Sequence, residues 1–349
     1  MTAMPVAEGR ETRLMKGEPI PETMHAVPIQ GYNSPGWGPV ERPVPAVLPD
    51  RYLVKVRAAS INAADIHEVR GGLVTRAFSG FKKSTNPATG ADVAGVVVAV
   101  GAETTKFKVG DEVFGGARGS LAEYGSAKTL ARKPANLTWE EAAAIPIAGL
   151  TALQGLRDKG NLHPGQAVLV NGAAGGVGTF TVQIAKTLGA EVTAVCGTRN
   201  VDLVRSLGAD HVVDYTKEDF ATSHKKYDVV FDVVGNRSLG ALRRLAKPEG
   251  TVVLCGGGHQ KGHGQSLLLT ISRIGRAAIL AKISKKPRMV FFIAKFNDDD
   301  LATLGDMAEL GTLKPAVERA YTLDQAAEAF RYLKSGHVQA KLVFTVSGG

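Results

Sequence analysis

Cysteine is nearly absent from this sequence: of 349 residues only Cys196 and Cys255 carry a thiol, each inside an apolar run. Two isolated thiols suit a reducing compartment and rule out a four-cysteine metal loop; the cytoplasm is the expected location. Long apolar runs are missing as well. No window approaches the roughly eighteen consecutive apolar residues that a membrane-spanning helix requires, so the protein is not expected to be integral to a membrane. The N-terminal stretch holds Glu8, Glu11, Glu18 and Glu22 and no apolar core, a composition that fits neither a secretory signal nor an acid-poor transit peptide. Residues 1–23 read as an extension ahead of the folded chain.

Acidic residues vanish from one region only. Between Gly250 and Asn297 there is no Asp or Glu, while eight lysines and arginines lie from Lys261 to Lys295, so nearly all of the formal net charge of +9 is local. Most basic faces are simply solvated, and no specific nucleic-acid partner is expected. The same segment, 259–295, is also apolar. Two readings follow: packed surface helices, or a lid over a bulky acceptor with its charges in transient contact with an anionic membrane surface.

What is present is the composition of a folded, two-domain chain: 44% hydrophobic residues over a length at which one core stops growing. From Met24 to about Ala148 short β-rich runs alternate with turns, among them RYLVKVRAASI, ADVAGVVVAVG and GDEVFG. Thr138 followed by Glu141 is a capping-box signature that opens the helical stretch TWEEAAAIPIAGLTALQGL. Beyond it continuous apolar strands alternate with helical patterns, as a parallel sheet covered on both faces requires. The fold class is therefore α/β: a doubly wound nucleotide-binding domain beside a β-rich one.

The stretch NGAAGGVGTFTVQIAK holds four glycines in seven residues, Gly172, Gly175, Gly176 and Gly178, between an apolar strand and a helix. A dinucleotide fingerprint needs a tight turn, a close approach to pyrophosphate and a close helix–strand contact; Ala173, Gly175 and Gly178 are assigned to these roles. Phosphate then meets the free N–H groups and positive dipole end of the helix. About 20 residues on, an NAD site places a carboxylate. Here the second strand ends in CGTRN, with no acid: Arg199 can pair with a 2′-phosphate and Thr198 can donate a hydroxyl, which selects NADPH.

With these pieces in place, the chain resembles the zinc-independent, quinone oxidoreductase-like branch of the medium-chain dehydrogenase/reductase superfamily. The resemblance runs from about Met24 to Val346 and rests on AASINAADIH, TGADVAGVVVAVG, VGDEVFGG, GSLAEY, AAAIPIAGLTALQGL, NGAAGGVGTF, CGTRN, LGADHVVDY and FDVVG. It implies a GroES-like β-rich catalytic domain at 24–149 completed by 297–349, a Rossmann domain at 150–296, a cleft between them and a homodimer. Zinc-dependent relatives hold their metal at positions that match Asn62 and Ala91; neither replaces a thiolate or imidazole, and Asp92 alone makes no site. The pair His259 and His263 sits in a glycine-rich run and is not expected to bind metal either.

The resemblance further implies that Ala174, Gly176 and Val177 touch the pyrophosphate, that Gly197 and Tyr215 lie at the adenosine end, and that Phe292 and Ala294 approach the nicotinamide. Thr151, Val234 and Gly256 complete the cofactor set. Lys341 matches a basic position of the family, although the usual Gly-His-Ala-Arg-Gly-Lys run reads GHVQAK here. Without metal, hydride transfer depends on placement and on hydrogen bonds to the developing oxyanion. Asn62 is the candidate donor to a substrate carbonyl or, equally, an amide tying down its own loop. His67, where relatives often carry a tyrosine, is a candidate proton donor or a polar residue of the cleft wall. Three functions follow: an NADPH-dependent quinone or enone reductase, a metal-free NADP-dependent alcohol or carbonyl dehydrogenase, and a non-catalytic NADPH-binding interaction protein. The substrate is expected to be a small apolar carbonyl or quinone.

Overall fold

Two six-stranded sheets share one apolar seam. The computed structural model describes residues 19–28, 38–70, 89–255 and 286–346. Gly256, residues 1–18 of the extension and the basic stretch as far as Lys285, with His259 and His263, lie outside them. In order, β1 (Thr23–Ala26) and β2 (Val40–Pro43) form a small antiparallel pair. The strands β3 (Tyr52–Ile61), β4 (Asp92–Val100), β5 (Glu112–Arg118) and β6 (Tyr124–Arg132) pair antiparallel in sequence, and β3 also pairs with β6, which rolls the set into a small barrel. A helix, α1 (Ala63–Arg70), follows β3; it carries His67, whose side chain is not among the described atoms.

The capping box forms as expected: the Glu141 N–H donates to Thr138 Oγ1 and the Thr138 N–H to Glu141 Oε2. The helical stretch it opens is not continuous. It breaks into α2 (Trp139–Ala144) and α3 (Pro146–Gln154), because Pro146 has no N–H to give back and is tolerated only as the first residue of a new helix. A π-helical turn, Gly155–Gly160, then leads to the second sheet.

That sheet contains β7 (Ala167–Asn171), α4 (Gly176–Thr187), β8 (Glu191–Cys196), α5 (Val201–Ser206), β9 (His211–Asp214), β10 (Tyr227–Asp232), α6 (Leu239–Leu245), β11 (Ala246–Leu254) and β12 (Arg288–Phe291). All pairings are parallel, in the order β12-β11-β10-β7-β8-β9. The run AVLVN is buried at every position because helices cover both faces. Val168 and Val170 join a cluster with Phe180 and Ile184 of α4, and Leu169 one with Leu242 and Leu245 of α6, as strand alternation dictates. The chain leaves β7 toward β8 on one side and returns to β10 on the other. This reversal opens a crevice at the carboxyl ends of β7 and β10.

Then α7 (Asp298–Glu309), β13 (Val317–Tyr321), α8 (Ala326–Ser335) and β14 (Lys341–Thr345) return the chain to the barrel, where β14 pairs antiparallel with β3 and parallel with β13. The first cluster runs unbroken from Ala58, Ala94 and Phe114 of the barrel through Leu150 and Leu153 of α3 to Val168 of the parallel sheet. Each of these leucines contributes roughly 1.5–3 kcal/mol by burial. The seam therefore holds the two sheets in one frame around the crevice.

Candidate active site

The glycine turn sits at the crevice. Gly172 takes a φ of +89°, and a Cβ there would stand 2.5 Å from Val234 Cγ2. The tight-turn role assigned to Ala173 from sequence thus belongs to Gly172, one residue earlier, since an L side chain is strained in that region. At Gly178 a Cβ would lie 2.1 Å from the Gly172 carbonyl oxygen, so only glycine lets α4 approach the strand end. Gly175 caps α4 without any side-chain hydrogen bond, which leaves first-turn N–H groups of Gly176 and Val177 for an anionic ligand. Beneath the turn, Asn171 Nδ2 donates to Asp232 Oδ1 at 2.8 Å and to Asn236 Oδ1 at 3.0 Å, tying the ends of β7 and β10 together. This cradle, open where side chains are missing and faced by the first-turn N–H groups of α4, fits a dinucleotide pyrophosphate.

A second polar group is built on β8 and β9. Tyr215 is exposed, and its hydroxyl lies 3.1 Å from where a Gly197 Cβ would stand, so the glycine makes room for the ring. Thr198 Oγ1 donates to Asp214 Oδ2 at 2.6 Å and lies 2.8 Å from Thr216 Oγ1. The Thr198 hydroxyl, with Thr216 N–H and hydroxyl added, outweighs desolvation and holds the Asp214 carboxyl down at about 2. The hydroxyl expected to meet a 2′-phosphate is thus already committed to an acid that the neighbouring strand brings in. Two cationic groups stand there: Lys217 Nζ, 3.5 Å from Asp214 Oδ2, and Arg199, whose Nη2 donates to the His337 carbonyl, on the connection from α8 to β14.

Facing the turn from the barrel side is a buried polar cluster. Asp92 is fully buried and Lys341 is 3% exposed. Lys341 Nζ donates to Asn62 Oδ1 at 2.6 Å and lies 3.4 Å from both Asp92 Oδ2 and the Ile61 carbonyl. Asp92 Oδ2 also accepts from Ser60 Oγ and Asn62 Nδ2, each at 2.8 Å, and its Oδ1 accepts from the Ile147 N–H at 3.0 Å. Because the ammonium can only donate, it fixes Oδ1 of Asn62 as the acceptor and leaves Nδ2 with one N–H beyond the one given to Asp92. The stem of Lys341 passes under the turn: a Cβ on Gly176 would lie 3.0 Å from Lys341 Cδ. Next to it, Ala340 bridges to Gly175 and donates its N–H to the Ala174 carbonyl at 2.7 Å.

Of the residues singled out in the sequence, the structure gathers Ala174, Gly175, Gly176, Lys341 and Asn62 into one contact chain, and Val234 joins it through Gly172. Gly197, Thr198, Arg199 and Tyr215 form a second group. Phe292, buried, and Ala294, half-buried, follow β12 off the same carboxyl edge of the sheet, and Phe292 packs against Gly155. Thr151 lies in α3, where its hydroxyl donates to the Ile147 carbonyl at 2.7 Å. Asp92 as an anchor was missed in sequence, where it registered only as an insufficient metal ligand; a buried acid between two half-motifs is the signal that marks it. Among the described residues no group of three His, Cys, Asp or Glu side chains is arranged to hold a metal, and no helix is long and apolar enough to cross a membrane.

Residues 48–150 match the family model described as alcohol dehydrogenase GroES-like domain, and residues 207–344 the one described as zinc-binding dehydrogenase. Over 339 residues the chain is 34% identical to the chloroplastic quinone-oxidoreductase of Triphysaria versicolor, covering 92% of this chain and 98% of the relative. It is also 34% identical to the chloroplastic NADPH-dependent alkenal/one oxidoreductase of Arabidopsis thaliana, over 86% of this chain and 73% of that one. The solved quinone oxidoreductase of Coxiella burnetii superposes with a TM-score of 0.80 at 30% identity, over 93% of this chain and all of the other. On the barrel, the glycine turn at the sheet reversal and these likenesses together, the chain belongs to the medium-chain dehydrogenase/reductase superfamily, in its quinone oxidoreductase-like branch.

Proposed function

We propose that this protein is an NADPH-dependent reductase of quinones or α,β-unsaturated carbonyls that works without zinc. The observation that carries the reading is the pairing of a pyrophosphate cradle at Gly175–Gly178 with the Lys341–Asn62–Asp92 cluster, reached through one lysine stem. The relatives named as quinone and NADPH-dependent alkenal/one oxidoreductases supply the reaction class. Bound in the crevice, NADPH supplies a hydride to a quinone or to the β-carbon of an enone.

The chain's own residues divide the remaining work. Ala174, Gly175, Gly176, Val177 and Gly178 hold the pyrophosphate; Gly197 and Tyr215 receive the adenosine, with Thr198 holding the end of β8 through Asp214. Arg199 pairs with the 2′-phosphate in exchange for its present carbonyl partner. Thr151, Val234, Phe292, Ala294 and, outside the described residues, Gly256 bound the nicotinamide end. Asn62, oriented by Lys341, donates its remaining Nδ2 hydrogen to the acceptor's carbonyl oxygen and so stabilises the developing oxyanion. His67 or a water returns the proton. A zinc ion does not fit: Asn62 and Ala91 stand where ligands are needed, Asp92 is saturated by its donors, and the Lys341 ammonium adjoins the place.

The same reading divides the chain at 149/150 and 296/297, keeps it in the reducing cytoplasm, and makes it a homodimer. Support for the dimer is that β12 ends its sheet with an outer edge that no described strand covers. Liposome co-sedimentation tests membrane-surface contact by the basic segment.

NADPH oxidation measured against a panel of quinones, enones and aldehydes, before and after chelator treatment, tests the reading. Turnover of quinones or enones that survives chelation is expected. Reduction confined to aldehydes selects the metal-free dehydrogenase instead. Tight NADPH binding with no turnover of any acceptor selects the non-catalytic binding protein and overturns the proposal.

A further inference from the structure

The segment from Phe292 to Lys295 leaves β12 at the carboxyl edge of the sheet, with the Phe292 N–H still donating to the Leu254 carbonyl at 3.2 Å. It crosses to the barrel, where Phe296 packs so closely on β5 that a Cβ on Gly116 would lie 2.8 Å from its ring. Between these anchors one side chain holds the backbone at two points. Gln154, at the end of α3 and 7% exposed, donates from Nε2 to the Lys295 carbonyl at 2.7 Å and accepts from the Lys295 N–H on Oε1 at 2.9 Å.

Gln154 is itself held. Its Nε2 also donates to Asp300 Oδ2 at 2.8 Å, and the same oxygen accepts from Asn297 Nδ2 at 2.7 Å while Oδ1 accepts from Arg157 Nη1 at 2.7 Å. Burial works against the charge of Asp300, but hydrogen bonds from Arg157, Asn297 and Gln154 outweigh it and keep the carboxyl below its usual range. The next residue, Gly155, has no room for a Cβ: it would stand 2.4 Å from the Phe231 ring and 3.0 Å from Phe292 Cζ. Adjacent residues at the mouth of the π-helical turn therefore fix both ends of the segment, the ring of Phe292 and the backbone of Lys295. A stretch that spends a buried amide, a buried carboxylate and an arginine on one backbone position is held for placement as well as for stability.

We propose that Gln154, braced by Asp300 and Arg157, is a positioning residue that sets the Phe292–Lys295 segment against the nicotinamide and thereby the hydride-transfer distance. This rests on the reading that Phe292 and Ala294 bound the nicotinamide. Gln154 touches neither cofactor nor substrate; it acts through the backbone it grips.

The test compares the full-length wild type, Gln154→Met, Gln154→Glu and the double change Gln154→Glu/Asp300→Asn, titrating each with NADPH and recording the affinity and the nicotinamide emission of the bound cofactor. Gln154→Met is close in shape and removes all three hydrogen bonds. We expect it to bind NADPH within about twofold of wild type, since the phosphates are held elsewhere, yet to lose most of the bound-state emission enhancement and to show kcat with an enone about tenfold lower, as misplacement at this scale costs. Gln154→Glu sets a second carboxylate against Asp300 and an acceptor against the Lys295 carbonyl, and loses the same signals; the double change removes the repulsion between the carboxylates but not the mismatch at the Lys295 carbonyl, so it recovers stability and not emission. Wild-type emission and kcat in a folded Gln154→Met that merely melts earlier would overturn the proposal, as would a double change whose emission returns together with its stability while the Lys295 carbonyl still lacks its donor. If Gln154→Met does not fold, the two glutamate variants decide by the same emission. A wild type that turns over no acceptor sinks the reductase reading alone, leaving the clamp to be judged on emission.

Discussion

Replacing Lys341 by methionine isolates the charge at the centre of the site. The thioether follows the lysine stem under Gly176 and keeps its packing, while the ammonium disappears. Three interactions go with it: the charged hydrogen bond to Asn62 Oδ1 at 2.6 Å, the ion pair with Asp92 at 3.4 Å and the contact with the Ile61 carbonyl at 3.4 Å. A hydrogen bond to a charged group contributes about 1.5–3 kcal/mol, and removing one partner of a buried pair costs about 3–5 kcal/mol because the other charge stays buried. Asp92, wholly inaccessible, keeps its donors from Ser60, Asn62 and Ile147, which places the loss toward the lower end, about 3 kcal/mol. Urea unfolding of the cofactor-free protein measures it. Asp92→Asn in the Lys341→Met background removes the stranded charge and recovers at least about 1 kcal/mol, so the two changes are not additive. A loss below about 1 kcal/mol for Lys341→Met, or strict additivity in the cycle, would refute the claim that the lysine neutralises a buried carboxylate.

Other outcomes follow from the surrounding geometry. Arg199→Ser weakens NADPH binding by about 10–100-fold in fluorescence titration and leaves NADH nearly unchanged, since one charge-assisted pair to the 2′-phosphate is lost; equal losses for both cofactors refute the assignment. Asp214, with a folded pKa of about 2 against about 3.9 unfolded, binds fewer protons folded than unfolded across that interval. Its contribution to stability is therefore complete above about pH 4 and disappears as pH falls through about 2. Asp214→Asn flattens this part of the melting-temperature profile, and an unchanged acid limb counts against it. Ala340 holds a φ of +59° while buried; Ala340→Gly relieves about 1 kcal/mol of left-handed strain, offset in part by unfolded-chain entropy, for a net gain near 0.5 kcal/mol in denaturant unfolding. A loss of stability there means that the methyl packing outweighs the strain.

Features that repeat locally were legible in the sequence, and features that join distant residues were not. The capping box at Thr138, the alternation of strands and helices and the glycine turn each depend on neighbours a few positions apart, where residue type alone carries the signal. Within the turn the strained position was misassigned by one residue, because the fingerprint names roles and the backbone chooses which residue bears the positive φ. Pro146 carried the information that its helix must restart, but a strong apolar pattern on both sides hid it. The CGTRN end correctly showed no acid along its own strand. Asp214 arrives from the adjacent strand, sixteen positions after Thr198, a contact set only by parallel pairing. The Gln154–Asp300 bond spans 146 positions and the Lys341–Asp92 pair 249, with nothing in either local pattern to announce the partner.

The last of these separations bears on how the protein is made. Strand β14 lies directly against β3, pairing Leu342 with Ile61, yet the whole parallel sheet is synthesised between them. During synthesis the barrel strands emerge first and must wait, with the Ala58–Ile61 end of one flank of β3 open and Asp92 lacking its counter-ion, until the nucleotide-binding half has left the ribosome. Such long-range closure is slow and exposes an unpaired edge. The barrel is therefore the half most dependent on protection during biogenesis, although it begins first, and its last strand closes it and brings Lys341 to Asp92 in a single late event.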